Sequence, residues 1–235
     1  MTHKIQKIIK NISVVLTLMI IATNVQAACV DNVVLVHGNT GSPSDWDNTY
    51  ELLLAKGYQS NQIFKPSWGS YNASYNDHNG SEEIPVRNAI TNAINSSCTG
   101  KIDVIGHSMG VTLAAQQIIK LNKANSVNSF VGIAGAYRGL WTCGIYPFNV
   151  WTPTCGTFGL SVSSPFLNGL GNTHIASRAY SIKSWIDEIV CGAGTCTVGG
   201  VHSSSIPNEN ASYNFLYGHF GLQTYTANKQ YDLIK

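Results

Sequence analysis

Gly106-His107-Ser108-Met109-Gly110 is the stretch of this 235-residue chain where residue types and spacing could do chemistry. A serine with glycine two residues away on either side, between an apolar run and a helical pattern, matches a strained strand-to-helix turn that lifts a hydroxyl above a sheet. Such a hydroxyl becomes a nucleophile when a histidine takes its proton and a carboxylate orients that histidine. In a chain with 22 glycines the pentapeptide alone is weak evidence. Its setting strengthens it, because Ile102 to Ile105 is strand-like and Val111 to Leu121 is a good helix former.

Around a turn of this kind the acid and the histidine follow the serine in that order. Between Ser108 and the last histidine the acids are Asp187, Glu188 and Glu209, and the histidines beyond Ser108 are His174, His202 and His219. Asp187 stands just past a predicted strand, Ser177 to Trp185, where a carboxylate can reach over the sheet edge. Glu188 is expected to face away, and Glu209 lies in a polar loop. His174 precedes the acid and fails by order. His219, in Tyr217-Gly-His-Phe-Gly-Leu222 before the final helix, is preferred to His202, which reads as structural. The expected triad is therefore Ser108, Asp187 and His219, with His107 packing beside it. His37-Gly38-Asn39-Thr40-Gly41 follows the apolar run ending at Val36. A turn there can aim the backbone N–H of Asn39 at the serine, with that of Met109 as the second donor of an oxyanion hole.

These residues need a frame. Strand-like Asn32 to Val36, a helix from Ser44 to Ala55, a strand at Ile63 to Pro66, a helix from Glu82 to Asn95, the serine strand and helix, and a strand from Val127 to Ala134 alternate along the chain. That rhythm predicts an α/β fold with a mainly parallel sheet and helices on both faces, and sites at the carboxyl ends of its strands. A final helix is predicted from Phe220 to Ile234. From Ala136 to Thr173 the rhythm fails, and aromatic residues sit among glycine, proline and two cysteines. This inserted, lid-like stretch is expected to form an acyl-binding wall, with Trp141 and Trp151 as its substrate contacts.

Leu35-Val36 running into His37-Gly38, the serine pentapeptide, Ser184-Trp-Ile-Asp-Glu-Ile-Val190 and Gly218-His-Phe-Gly-Leu222 together resemble the bacterial class 2 lipases, small secreted α/β-hydrolases. The resemblance spans most of the chain beyond the leader. It implies carboxylic ester hydrolysis with acylglycerols as typical substrates, the triad and oxyanion donors named above, and no cofactor. The chain departs from the smallest members in the Ala136 to Thr173 insertion and in Val111, where a second glycine is common. An acyltransferase or an extracellular polyester depolymerase would keep the same triad; a secreted binding module would not need it.

Met1 to Ala27 reads as a cleavable signal peptide: three lysines, an apolar run from Ile12 to Ala22, and small residues at Val25 and Ala27. Residues 28–235 then form one domain, secreted or periplasmic. Taking Lys4, Lys7 and Lys10 from the 14 Lys and Arg leaves 11 against 12 Asp and Glu, a balance that implies no nucleic-acid partner. The expected partner is an ester or lipid, with transient contact to a lipid interface, and the chain is expected to be a monomer. Six cysteines in an oxidising compartment argue for disulfides. Cys29 and Cys98 each precede a strand that ends in a functional loop, so adjacent parallel strands would bring them together. Cys143 with Cys155 and Cys191 with Cys196 would staple local loops. No Cys-x-x-Cys pair occurs, so no metal site is expected.

Overall fold

A computed structural model describes residues 29–235; the signal peptide read over Met1 to Ala27 lies outside the described residues. The chain runs through β1 (Asn32–Val36), α1 (Asp47–Ala55), β2 (Ile63–Phe64), α2 (Glu83–Ser96), β3 (Ile102–His107), α3 (Met109–Lys120) and β4 (Val127–Ile133). It continues through β5 (Leu140–Ile145), β6 (Phe148–Asn149), β7 (Ser161–Val162), α4 (Pro165–Leu170), β8 (Arg178–Lys183), β9 (Thr197–Val198) and β10 (Val201–His202). β11 (Ala211–Asn214), α5 (His219–Tyr225) and α6 (Ala227–Ile234) complete it.

Six of these strands form one parallel sheet in the order β11-β8-β4-β3-β1-β2. β1 is apolar after its first residue and buried at every position, as a parallel strand covered on both faces must be. Its side chains alternate between two cores. Val34 and Val36 join Ile102, Val104 and Phe130 under α2 and α3, and Val33 and Leu35 join Ile105, Val131 and Ile133 under α1 and α6. The result is a three-layer sandwich with the serine strand β3 near its middle.

The cysteines pair as expected. Asn32 is in register with Ile102, so the residues just before β1 and β3 are neighbours, and Cys29 and Cys98 are joined with their Cα atoms 5.8 Å apart. Cys143 is bonded to Cys155, and Cys191 to Cys196.

Three elements differ from the sequence expectation. The insertion is not irregular throughout: it contains a small sheet in the order β6-β5-β7 and the short helix α4. Its strands are too short, and the six-residue β5 too irregular in burial, to leave a periodic signal. The last helix is two, broken at Thr226, whose Oγ1 donates to Leu222 O at 2.6 Å. The edge strand β11, Ala-Ser-Tyr-Asn, lacks hydrophobic alternation and is specified by its pairing with β8. Among the described residues no helix is long and apolar enough to cross a membrane.

The loop lengths set the stabilisation each bridge gives. Cys29–Cys98 spans 69 residues and Cys191–Cys196 spans 5. Chain-entropy arguments put the first at about 4 kcal/mol and the second at about 2 kcal/mol. Urea unfolding of the paired Cys→Ser variants is therefore expected to give a larger loss for the Cys29–Cys98 bridge. The opposite ranking would mean that native-state effects dominate.

Candidate active site

Ser108 occupies the turn between β3 and α3 at φ 53°, ψ −129°, a sparsely populated backbone region for a residue with a side chain. Its N–H donates to Ile133 O of β4 at 2.8 Å, and its carbonyl accepts Val111 N at 3.1 Å, which holds the turn at both ends. The flanking glycines are required by close backbone approach. A Cβ on Gly106 would stand 2.8 Å from Val111 Cα, and one on Gly110 would drive into the carbonyl oxygens of Val36 and His37. Gly38 has the same function from the neighbouring strand end, since its Cβ would fall 2.9 Å from that of Ser108. Strand β1, its following loop and helix α3 can therefore close around the serine only with bare backbone at these three places.

The half-buried Ser108 opens into a cleft of about 650 Å³ at the carboxyl edge of the sheet, and His219, Gly38 and Asn39 line the same cleft. Asp187 follows β8 and His219 opens α5, so both arrive from strand ends on this edge. The buried Asp187 carboxylate meets His219 Nδ1 with both oxygens at 2.9 Å. Its Oδ1 also accepts the backbone N–H groups of Ile189 at 3.0 Å and Val190 at 2.8 Å. Burial alone works against the charged carboxylate. The His219 hydrogen bond and charge, with the Val190 and Ile189 donors, outweigh it and hold Asp187 below its ordinary pKa. An ionised Asp187 requires the proton on His219 Nδ1, so the neutral ring presents its Nε2 lone pair.

His202, His107 and His174 are placed differently from His219. His202 Nε2 meets Ser184 O at 3.1 Å and its Nδ1 accepts Ser204 N at 3.1 Å, so neither nitrogen is free to act as a base. His202 is also grouped with Cys191 and Cys196, but those two sulfurs are bonded to each other, so this cluster offers no thiolate to a metal. His107 packs beside the site as expected. It is buried, its Nε2 meets His219 O at 3.2 Å, and burial together with the neighbouring His219 pushes its pKa down to about 3. A neutral His107 therefore donates from Nε2 to the His219 carbonyl. His174 lies apart from the cleft.

Asn39 is tied down by its side chain. Its Oδ1 accepts Asn76 Nδ2 at 2.5 Å and its Nδ2 donates to Ala73 O at 2.8 Å. Asn76 is buried and also holds Ser70 through its own Oδ1 and Nδ2, so the 67–79 loop is folded around it. Thr154 of the insertion in turn donates to Ala73 O and Asn76 O. The insertion thus buttresses the loop that grips Asn39. Residue-type rules gave no signal for Asn76; its Asn-Asp-His surroundings read only as a polar loop.

The tryptophans of the insertion do not reach this cleft. Trp141 donates from Nε1 to Thr197 O at 2.7 Å, and Trp151 is 94% exposed beside a separate groove with Tyr146, Pro147 and Thr157. Pairing of β5 with β6 and β7 and the Cys143–Cys155 bond organise the stretch, which Thr154 ties to the 67–79 loop, and neither tryptophan lines the Ser108 cleft. The apolar side chains on the cleft are Tyr71, Ala73, Ile189 and Phe220.

A parallel sheet with a serine elbow on its central strand and helices on both faces defines an α/β-hydrolase. The chain belongs to the class 2 lipase family, whose model it matches over residues 31–232. It is a carboxylic ester hydrolase. No curated protein matches it in sequence. Among solved structures it is similar to mature Bacillus licheniformis lipase BlEst2, with 11% identity, a TM-score of 0.62 and coverage of 88% of this chain and 93% of that one. It is also similar to Paleococcus ferrophilus monoacylglycerol lipase, with 13% identity, a TM-score of 0.56 and coverage of 86% and 93%. Aspergillus fumigatus lipase B gives 18% identity and a TM-score of 0.52, over 83% of this chain and 49% of that one. At these identities the likeness is one of fold.

Gly110→Ala is expected to destabilise the protein by about 1–3 kcal/mol, because both obstructing atoms are backbone carbonyls. Gly169→Ala, with open space around its Cβ and a helical setting, is expected to be neutral or slightly stabilising. Thermal melts of the two variants check this; equal melting temperatures would contradict the close approach.

Proposed function

We propose that the protein hydrolyses carboxylic esters of the acylglycerol type by a Ser108-His219-Asp187 triad through an acyl-enzyme. The observation that carries this reading is the buried Asp187–His219 pair opening on the same cleft as a serine in a strained elbow. Ser108 Oγ attacks the acyl carbon while its proton passes to His219 Nε2. The negative charge that develops on the carbonyl oxygen meets the backbone N–H groups of Asn39 and Met109, the latter at the first turn of α3 where no helical partner exists. His219 then gives its proton to the departing alcohol, and the ester of Ser108 remains. Water repeats the sequence, with His219 as its base, and releases the acid. Asp187 stays ionised throughout and stabilises the imidazolium. Among the described residues Ser108 Oγ and His219 Nε2 are not hydrogen-bonded, and catalytic contacts of this kind commonly tighten with substrate in place.

Three disulfides within residues 29–235 support secretion into an oxidising compartment. Ser108→Ala and His219→Ala are each expected to lower kcat on the order of 10³-fold or more, with the melting temperature retained in Ser108→Ala. His202→Ala is expected to keep activity. p-Nitrophenyl butyrate kinetics decide, and a His202→Ala enzyme that is dead beside an active His219→Ala enzyme would overturn the assignment.

Tyr71, Ile189 and Phe220 supply the apolar wall for the acyl chain, in place of Trp141 and Trp151. Each buried methylene contributes about 0.8 kcal/mol. Phe220→Ala is therefore expected to raise KM for octanoate esters several-fold while sparing acetate esters, and Trp151→Ala to change neither. An equal effect on both chain lengths would contradict this wall.

A further inference from the structure

His219 is held at more points than its imidazole. Its backbone N–H donates to Glu188 Oε2 at 2.8 Å, its backbone carbonyl accepts His107 Nε2 at 3.2 Å, and its Nδ1 meets Asp187. Two consecutive residues of one loop therefore grip the histidine, Asp187 by the ring and Glu188 by the main chain. The loop itself is closed just beyond them, where Cys191 N donates to Asp187 O at 2.9 Å and Cys191 is bonded to Cys196.

A second observation points to the same contact. Gly218 precedes the histidine at φ −70°, ψ 177°, an extended conformation that any residue can adopt, so the glycine is not needed for backbone freedom. What the glycine supplies is room for the Glu188 carboxylate in its present position. A Cβ on Gly218 would stand 2.5 Å from Glu188 Oε2 and 3.3 Å from its Cδ. The bare backbone at Gly218 leaves the space that the Glu188 carboxylate occupies.

We propose that Glu188 is a positioning residue: its carboxylate fixes the main chain of His219, in a seat kept open by Gly218, so that the imidazole is aimed at Ser108. The physical reason is a charge-assisted hydrogen bond to an N–H at the first turn of α5, where that donor has no partner within the helix. With the N–H fixed on one side of the Cα and the carbonyl on the other, the Cα–Cβ direction is set before the Asp187 contact selects the ring orientation. A misplacement on the scale of an ångström in a reacting group lowers the rate steeply without changing substrate binding. This assignment rests on His219 being the general base.

The test is a set of variants measured together by p-nitrophenyl butyrate kinetics: Glu188→Ala, Glu188→Gln, Gly218→Ala, the Glu188→Ala/Gly218→Ala double variant, and His219→Ala. Glu188→Ala is expected to lower kcat about tenfold with KM within about twofold of wild type. Glu188→Gln retains an acceptor oxygen and is expected to recover most of kcat. Gly218→Ala displaces the carboxylate and should reproduce the Glu188→Ala loss. The double variant should be no slower than either single variant, because both remove one contact. Should Glu188→Ala fail to fold, Gly218→Ala and Glu188→Gln carry the same comparison. The proposal is overturned if Glu188→Ala or Gly218→Ala keeps wild-type kcat, if the two losses multiply in the double variant, or if KM rises in place of the fall in kcat. His219→Ala separates the two levels of the reading. Its inactivity with a fully active Glu188→Ala enzyme removes the positioning role alone, and an active His219→Ala enzyme removes the triad.

Discussion

The unusual backbone of Ser108 is the constraint on which the site depends. A side-chain-bearing residue at φ 53°, ψ −129° costs on the order of 1–3 kcal/mol, and it persists only where the surroundings leave no alternative. Here the surroundings are specific. The Ser108 N–H is taken by β4 and its carbonyl by α3, while helix α3 comes so close to the end of β1 that no side chain fits at Gly110. The same closeness brings the Gly38-Asn39 turn beside the serine, and with it the backbone N–H assigned to the oxyanion. Strain at one residue and close packing of three backbones are thus one arrangement.

The opposite wall of the cleft is organised by hydrogen bonds rather than by contact. Asp187 is buried, which alone would favour its neutral form, yet two backbone donors and the His219 ring keep it ionised. That charge decides the histidine tautomer. The nearby His107 is kept neutral by burial, so it can donate to the His219 carbonyl without adding a competing positive charge. The two walls are also fixed from outside: Cys191–Cys196 closes the acid loop, and the insertion braces the 67–79 loop that holds Asn39 through Asn76.

Much of this arrangement could be read from residue order and type. The glycine spacing around Ser108 is legible because it records backbone collisions. The Asp187 and His219 choices are legible because chain order and strand ends restrict the candidates. The Cys29–Cys98 bridge is legible once strand–helix alternation makes β1 and β3 parallel neighbours, because their starting ends then lie side by side. Glu188 is not legible in this way: alternation past the end of β8 predicts that it faces away, but residues 187–190 form a turn that obeys no alternation, and its carboxylate meets His219 N. Aromatic content points to Trp141 and Trp151 as cleft residues, but the path of their loop follows non-local strand pairing and the Cys143–Cys155 bond, which aromatic content does not reveal. Asn76 gave no signal at all, since a buried amide that organises a loop has the same local sequence as an exposed one.

The most direct test of the central claim is to follow covalent modification by a diethyl phosphate ester and to map the adduct by peptide mass spectrometry. The account predicts one adduct per chain, on the peptide bearing Ser108, formed in step with the loss of ester hydrolysis. An adduct on another residue, or hydrolysis that continues with Ser108 fully modified, would contradict it.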